Sequence, residues 1–196
     1  MSAACQDSPD AQYALALRYY VGEGVKRNHK TAFRWFGKAA VRGHAAAQCM
    51  LGYYYDGGEG VKRDVAEAAE WYQKSACQGL PEAQYNLGFC HLKGDGAEQS
   101  NGKAASLFKM AAGQGLPAAQ FILGCCYADG VGVTKNIHRA FGWFLLAAEG
   151  GDKRATKAIR KIETHVSQRD QMRADRWAKR WRPKDVFMES VVCGVS

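Results

Sequence analysis

The residues best suited to chemistry are two serine–lysine pairs, five histidines, seven cysteines and a recurring Gly-x-Gly. Ser100-x-x-Lys103 and Ser106-x-x-Lys109 both satisfy the Ser-x-x-Lys pattern of serine-acylating enzymes. Neither Ser-Asp-Asn nor Lys-Thr-Gly accompanies them, and two hits so close together indicate chance. His29, His44, His91, His138 and His165 are scattered without metal-ligand spacing. No strand signal precedes any Gly-x-Gly, so these glycines do not form a phosphate cradle. Seven cysteines are an odd number, no Cys-x-x-Cys occurs, and Cys90 and Cys126 fall on equivalent positions of the chain. Packed helices stand roughly 8–10 Å apart, beyond the ~7 Å Cα limit for a disulfide. The cysteines therefore read as reduced packing residues, at least five of the seven free. No catalytic residue, cofactor or metal is expected.

The glycines lead to the elements that hold everything else. Gly22, Gly58, Gly94 and Gly130 are 36 residues apart, as are Gly24, Gly60, Gly96 and Gly132, and then Gly43, Gly79, Gly115 and Gly151. The same step joins Ala11-Gln12, Ala47-Gln48, Ala83-Gln84 and Ala119-Gln120, with Ala155 following, and joins Leu15, Leu51, Leu87 and Leu123. No insertion breaks the register. A fixed period of this length is the mark of a stacked repeat array, whose units bury their apolar faces only against one another.

Repeat two shows the local grammar. Ala47, Leu51, Gly52 and Tyr55 form an amphipathic stripe, helix A. Gly58 and Gly60 close a turn, and Asp64, like Asn28, Ser100 and Asn136, stands at the N-cap of helix B. Helix B carries Ala68, Trp71, Tyr72, Ser75 and Ala76 and ends before Gly79, the expected left-handed stop. Pro9, Pro81 and Pro117 fall in the first turn of a helix A, where a missing N–H costs nothing. Ala or Gly at 16, 52, 88 and 124 lets helices A and B approach, while Trp35-Phe36, Trp71-Tyr72, Phe108 and Trp143-Phe144 fill the layers between them. Trp71 is placed in the core by this reading.

The net charge of +8 is unevenly spread: residues 1–152 carry +1 and residues 153–196 carry +7. A near-neutral array with a basic end argues for a solvated helix face rather than a nucleic-acid or membrane footprint. The apolar stretch Tyr13–Leu17 is too short to span a membrane. Acidic Asp7 and Asp10 flank it wrongly for a signal peptide, and no apolar segment precedes Ser2-Ala3-Ala4-Cys5, so a cytoplasmic protein is expected. Ala155, Ile159 and Ile162 begin an incomplete fifth unit. Ser167 and Asp170 then cap a helix with an Ala174, Trp177, Ala178 and Trp181 seam. Arginines cover its outer side up to Pro183, which suits a solenoid cap. Residues 184–196 show no helical signal and read as a mobile tail, or one that docks on its own chain or a neighbour.

The pattern Ala-x3-Leu-[Gly/Ala]-x2-Tyr-x2-Gly-x-Gly-Val-x2-[Asp/Asn]-x3-Ala-x2-Trp-x2-Lys-Ala-Ala-x2-Gly resembles the Sel-one-like repeat, a relative of the tetratricopeptide repeat, across residues 9–152. Repeat three departs at Ala97 and Leu107, and repeat four at Leu146. The resemblance implies an all-α fold: a right-handed α-α superhelix of four 36-residue helix-loop-helix repeats, closed by a capping helical segment over residues 153–182. It also implies an adaptor or scaffold with a protein or peptide partner and no particular identity for that partner. The terminal helix resembles the arginine-rich closing helix of many bacterial relatives. A cysteine-rich secreted branch of the family brackets the turn from helix B to the next helix A with a Cys pair. Here those slots hold Ala40, Ala76 and Ala112 opposite Gln48, Gln84 and Gln120.

By resemblance to tetratricopeptide arrays, one stripe of helix A lines a concave groove. Read at slots 10, 13, 17 and 20 of each unit, it comprises Tyr13, Leu17 and Tyr20; Cys49, Tyr53 and Asp56; Glu82, Tyr85, Phe89 and Leu92; and Phe121 and Cys125. Tyrosine suits such a surface, giving large contact area at little entropic cost. Asn86 and Lys93 alone match the clamps that hold acidic peptide C-termini. The basic face around Arg173, Arg176 and Arg180 is a second candidate surface, for an acidic partner. The same solenoid also serves secreted effectors or immunity-type inhibitors, and a hydrolase is the remaining alternative.

Overall fold

The computed structural model describes residues 8–181 and 183. The sequence readings for residues 2–5, Arg182 and the 184–196 segment lie outside the described residues. Helices α1 (Pro9–Val21) and α2 (His29–Val41) form the first repeat, α3 (Ala45–Gly57) and α4 (Val65–Ala76) the second. The third is α5 (Pro81–Lys93) with α6 (Asn101–Gly113), and the fourth α7 (Pro117–Asp129) with α8 (Ile137–Glu149). Helix α9 (Lys153–Ile162), a 3-10 turn (Glu163–His165) and α10 (Gln168–Arg180) close the array, and no strand occurs among the described residues. Each helix packs on its partner within the repeat and on the next helix in line, as a right-handed solenoid requires.

The boundaries follow from cap chemistry. Asn28 accepts from the Thr31 N–H at 3.0 Å, Ser100 from Lys103 at 3.3 Å and Asn136 from Arg139 at 2.9 Å. Asp64 accepts from both Ala66 and Glu67. Each satisfies a donor that the first helical turn leaves free. Ser100, the serine of one apparent catalytic pair, is thus committed to holding α6, and Lys103 pairs with Glu98 at 3.1 Å. Pro9, Pro81 and Pro117 are the first residues of their helices. Gly58 ends α3 at φ +69°, and Gly79 follows α4 at φ +88°, conformations a Cβ strains. The second glycine of the loop has a different reason. Gly96 lies directly on the Val65 carbonyl and Gly132 on that of Asn101, where the loop of one repeat crosses the start of helix B in the repeat before. This contact leaves no room for a phosphate.

Within a repeat, a ring of helix B sits on a bare backbone of helix A. A Cβ at Gly52 would come within 2.6 Å of Tyr72, one at Gly88 within 2.6 Å of Phe108, and one at Gly124 within 2.5 Å of Phe144. Tyr72, Phe108 and Phe144 are buried, as is Phe36, whose repeat has the buried Ala16 in the glycine slot. One expectation needs correcting. Trp71 is half-buried at the edge of the core, with the Lys74 ammonium 4.1 Å from its ring, and Trp35 lies under Lys38 in the same way. At this spacing Tyr72, one position on, points at helix A and Trp71 points along the side.

Successive repeats are joined by buried glutamines. Gln48 donates to the Ala40 carbonyl at 3.1 Å and accepts from Gln78 at 2.7 Å. Gln114 donates to Gln84 and to the Gly79 carbonyl, both at 2.9 Å, and Gln120 donates to Ala112 at 3.3 Å. Ala40 with Gln48 and Ala112 with Gln120 are the slot pairs that hold cysteines in the secreted branch. A hydrogen bond spans the junction at these slots. Cys49, Cys90 and Cys126 are buried thiols of the core.

At the C-terminal end, Ala155 is buried and Ile159 and Ile162 pack on the fourth repeat. Ser167 caps α10 by accepting from Asp170 N–H at 3.2 Å. Both α9 and α10 pack chiefly on α8. The predicted seam makes the contact: Trp177 stacks edge-on against Trp143 at 5.3 Å and lies over Gly142, and Ala178 is buried.

Two measurements check this packing. Gly88→Val should lower stability by about 1–3 kcal/mol in urea, because the added methyls overpack the Phe108 contact. Gly37→Ala, on a helical glycine with nothing within 4 Å, should instead raise stability by about 0.5–1 kcal/mol. Equal melting of Gly88→Val and the parent would contradict the close approach. For the thiols, burial pushes Cys49 up to about 12 and Cys90 and Cys126 up to about 11. At pH 8 iodoacetamide should therefore label these three far more slowly in the folded chain than in urea, by roughly tenfold or more. Because the folded values are the higher ones, the linked stability is complete below pH 9 and is lost as the pH rises toward 12.

Candidate functional site

The A-helix face divides into side chains that the array absorbs and side chains left to solvent. Slots 13 and 20 lean toward neighbouring helices. Tyr13 stacks on His44 with centroids 4.4 Å apart and tilts against Phe36 at 5.6 Å. Its phenol is pushed up, first by burial and then by Cys49 and Glu82. Tyr20 meets His29 at 5.5 Å and Tyr54 at 6.3 Å, both edge-on. Tyr85 and Phe89 lie 5.0 Å apart, and both touch buried Phe108, at 6.0 and 5.1 Å. Leu17, Leu92 and Cys125 are likewise half-buried against the core clusters, and Cys49 is buried.

The exposed side chains of the A helices are scattered over slots 10, 14, 17 and 21. Asp10, Ala14 and Val21 are exposed on α1, Tyr53 on α3, Glu82 and Lys93 on α5, Asp129 on α7 and Arg154 on α9. Tyr53 is 41% exposed, its hydroxyl donating to Glu59 at 3.2 Å. The Glu59 charge is the first cause that raises the Tyr53 phenol. Asp56, also exposed, pairs with Arg63 at 3.7 Å. Of the predicted groove residues, then, Tyr53, Asp56 and Glu82 face water, while Tyr13, Tyr20, Tyr85, Phe89 and Phe121 are partly buried.

Arg154 shares this face and was not among the residues expected from the sequence. Its guanidinium lies over the Phe121 ring, 4.5 Å from the centroid, and makes a two-point contact with Asp152 at 2.6 and 3.0 Å. The same Asp152 contact is the first cause that raises the Arg154 guanidinium above its ordinary value. The Arg154 hydrogen bond is the main cause that holds the Asp152 carboxyl below its ordinary value. The signal was present: Arg154 stands 36 residues after Ala118, in the slot of Asp10, Ala46 and Glu82. A second unpredicted cluster lies at the loop end of repeats one and two. Here His29 approaches Glu59 at 3.5 Å and Tyr54 at 3.3 Å, and accepts from Arg27 at 3.0 Å.

On the other side of the array, Arg173 pairs loosely with Asp170 at 3.9 Å, Arg176 donates to the Met172 carbonyl at 3.3 Å, and Arg180 is exposed. All three lie along α10. Among the described residues no cluster of three or more His, Cys, Asp or Glu has the disposition to hold a metal ion, and no helix is long and apolar enough to cross a membrane. The core thiols are pushed up rather than down, the reverse of what a nucleophile needs.

Comparison with known proteins agrees with this geometry. The Sel1 repeat profile matches residues 9–44, 45–80, 81–116 and 117–152 in unbroken succession. A Sel1 repeat protein from Oxalobacter formigenes superposes with a TM-score of 0.79 at 30% identity, covering 92% of this chain and 76% of that one. Also at a TM-score of 0.79 is c5321, a protective antigen of uropathogenic Escherichia coli strains with an SLR fold, at 32% identity. That match covers 89% of this chain but 38% of c5321. A Sel1 repeat protein from Klebsiella pneumoniae, at 21% identity and a TM-score of 0.52 over 82% of this chain and 80% of its own, shares the fold alone. No curated protein sequence matches the chain. Four tandem profile matches over most of the sequence, on a helical array with glycine-seated rings, place the chain in the Sel1 repeat family.

Proposed function

We propose that this chain is a non-catalytic adaptor that holds an extended peptide or protein segment along its A helices, between Tyr53 and Arg154. Sel1 repeats are typically protein–protein interaction modules. The observation that carries the finer reading is the pairing of two unlike anchor points on one helical face. Tyr53 offers an exposed ring beside Asp56, and Arg154 offers a guanidinium held flat on Phe121. Tyr and Arg are the side chains that most often dominate such contacts. Asp152 fixes the guanidinium in advance, so little side-chain freedom remains to be lost on binding. The half-buried rings of Tyr85, Phe89 and Phe121 supply an apolar floor between the two points.

A second reading draws on c5321, described as a protective antigen: a factor displayed or released, using the same solenoid against a host or competitor. Cytoplasmic residence goes with the first reading. Recovery of the chain from culture medium or the cell envelope would favour the second.

The test begins with capture of the partner by the intact chain and its identification by mass spectrometry. Tyr53→Ala and Arg154→Ala should each leave the helical signal intact and change stability by less than about 1 kcal/mol. Affinity for the captured partner should fall by roughly 2 kcal/mol, about thirtyfold, for at least one of them. Phe89→Ala is not a clean probe, because its ring supports Phe108. Tyr72→Ala, in the core, should cost about 3–5 kcal/mol. Unchanged partner affinity in both the Tyr53 and Arg154 variants would reject this site.

A further inference from the structure

Two neighbouring helices on the B side carry the same pair of side chains at the same spacing: Arg139 with Trp143 on α8, and Arg173 with Trp177 on α10. Four residues make about one helical turn, roughly 6 Å of axis, so each arginine shares a side with its indole. The two helices run in the same direction. His138 faces Asp170 at 3.6 Å near their starts, and Trp143 meets Trp177 edge-on at 5.3 Å further along. All four side chains line one cleft of about 820 Å³, with the arginines toward one end and the indoles toward the other. Lys109 reaches in from α6.

Repeat four differs from the other three at this place. Trp35 and Trp71 each lie under the ammonium of a lysine three residues on, Lys38 and Lys74, at 4.1 Å. In repeat four that slot holds the buried Leu146, and the α10 indole comes down instead, over the bare backbone of Gly142. Trp177 still keeps 42% of its surface open. The slot of Arg139 is Thr31, Glu67 and Lys103 in the earlier repeats, and Lys103 is paired with Glu98. Arg139 is not: among the described residues neither it nor Lys109 pairs with a carboxylate, and its guanidinium rests 5.6 Å from the Tyr127 ring centroid. The one carboxylate that the described residues bring to the cleft is Asp170, which accepts from Ser167 at 2.5 Å and meets Arg173 only at 3.9 Å. An open indole beside unneutralised arginines marks a surface that a partner covers.

We propose that this cleft binds an acidic peptide segment of a partner protein, with a carboxylate side chain between Arg139 and Arg173 and an aromatic one, two residues on, against Trp143 and Trp177. In an extended segment residues two apart point to the same side and stand roughly 7 Å from each other, which matches the single turn from arginine to indole. Guanidinium forks take carboxylates in two-point contacts, and a rim with an excess of positive charge steers an acidic segment toward it. Lys109 takes a second acid. The cations ring a cleft floored by crossed rings and do not form a row, so the geometry fits one carboxylate-bearing segment and not a phosphate backbone. The site lies on the B-helix side, and it is independent of the adaptor reading of the A helices.

The probe is the unlabelled heptapeptide acetyl-Gly-Glu-Ser-Phe-Ser-Glu-Gly-amide, titrated into the full chain and followed by the indole N–H resonances. It should move those of Trp143 and Trp177, identified with Trp143→Phe and Trp177→Phe, and leave those of Trp35 and Trp71 in place. Replacing its phenylalanine by alanine should weaken binding about tenfold. Arg139→Glu with Arg173→Glu, both at exposed positions, should keep the helical signal and weaken binding about tenfold or more. A peptide with lysine in place of both glutamates should then prefer this double variant to the parent, a reversal that loss of packing does not produce. Tyr53→Ala, on the A-helix face, should leave binding unchanged. Indole resonances that stay fixed up to about 1 mM peptide, or an affinity indifferent to the reversed charges, would overturn the proposal. An octathymidylate that moves the same two resonances at lower concentration would assign the cleft to nucleic acid and overturn it as well.

Discussion

The distance between the two helices of a repeat is set by one contact, a helix B ring lying on a helix A backbone that carries no side chain. At Gly52, Gly88 and Gly124 any Cβ would stand 2.5–2.6 Å from the facing ring. Dense packing of this kind admits no intermediate positions, because cores resist even a single added methylene. The ring type varies, Tyr72 in one repeat and Phe108 or Phe144 in others, and its seat is glycine in these three repeats and the small Ala16 in the first. With that spacing fixed, helix B packs on helix A in the same way in each repeat.

The same constraint decides which side chains remain for binding. Once helices A and B are close, slots 13 and 20 of helix A fall over helix B or the next turn and are drawn into the wall. Tyr13 lies against Phe36, and Tyr85 against Phe108. Tyr53 in slot 17 and Arg154 in slot 10 are left outward, while Leu17, Phe89 and Cys125 of slot 17 stay half-buried. The aromatic richness of this face therefore has two parts. Rings in the wall give the surface shape and rigidity, and the few outward side chains give it chemical character.

Much of this was legible in the sequence, because the repeat supplies four readings of each position. Asn28, Asp64, Ser100 and Asn136 could be taken together as caps, and all four accept the expected hydrogen bonds. The prolines and glycines marked the helix starts and stops equally well, and the Ser167 cap was plain from its own neighbours. What a period cannot convey is rotation. Slots 13 and 14 both lie on the flank of helix A, and which one a neighbour covers depends on the lean of the helix, a property of packed volumes. The same limit misplaced Trp71, since adjacent Trp71 and Tyr72 are both large and only one points inward. Arg154 was missed for another reason: it belongs to an incomplete unit, and its role depends on Phe121 in the repeat before.

The glutamines at the repeat junctions carry a consequence for how such a chain grows. A junction made by Gln48 and the Ala40 carbonyl uses one side chain and a backbone atom that every residue possesses. Duplicating a unit therefore brings its own fastening, and deleting one leaves no orphaned half. A cystine-joined array lacks that freedom, because an unequal crossover can strand a thiol that seeks the wrong mate. Modular length then becomes cheap to explore, because a segment of 36 residues brings its own junction with it.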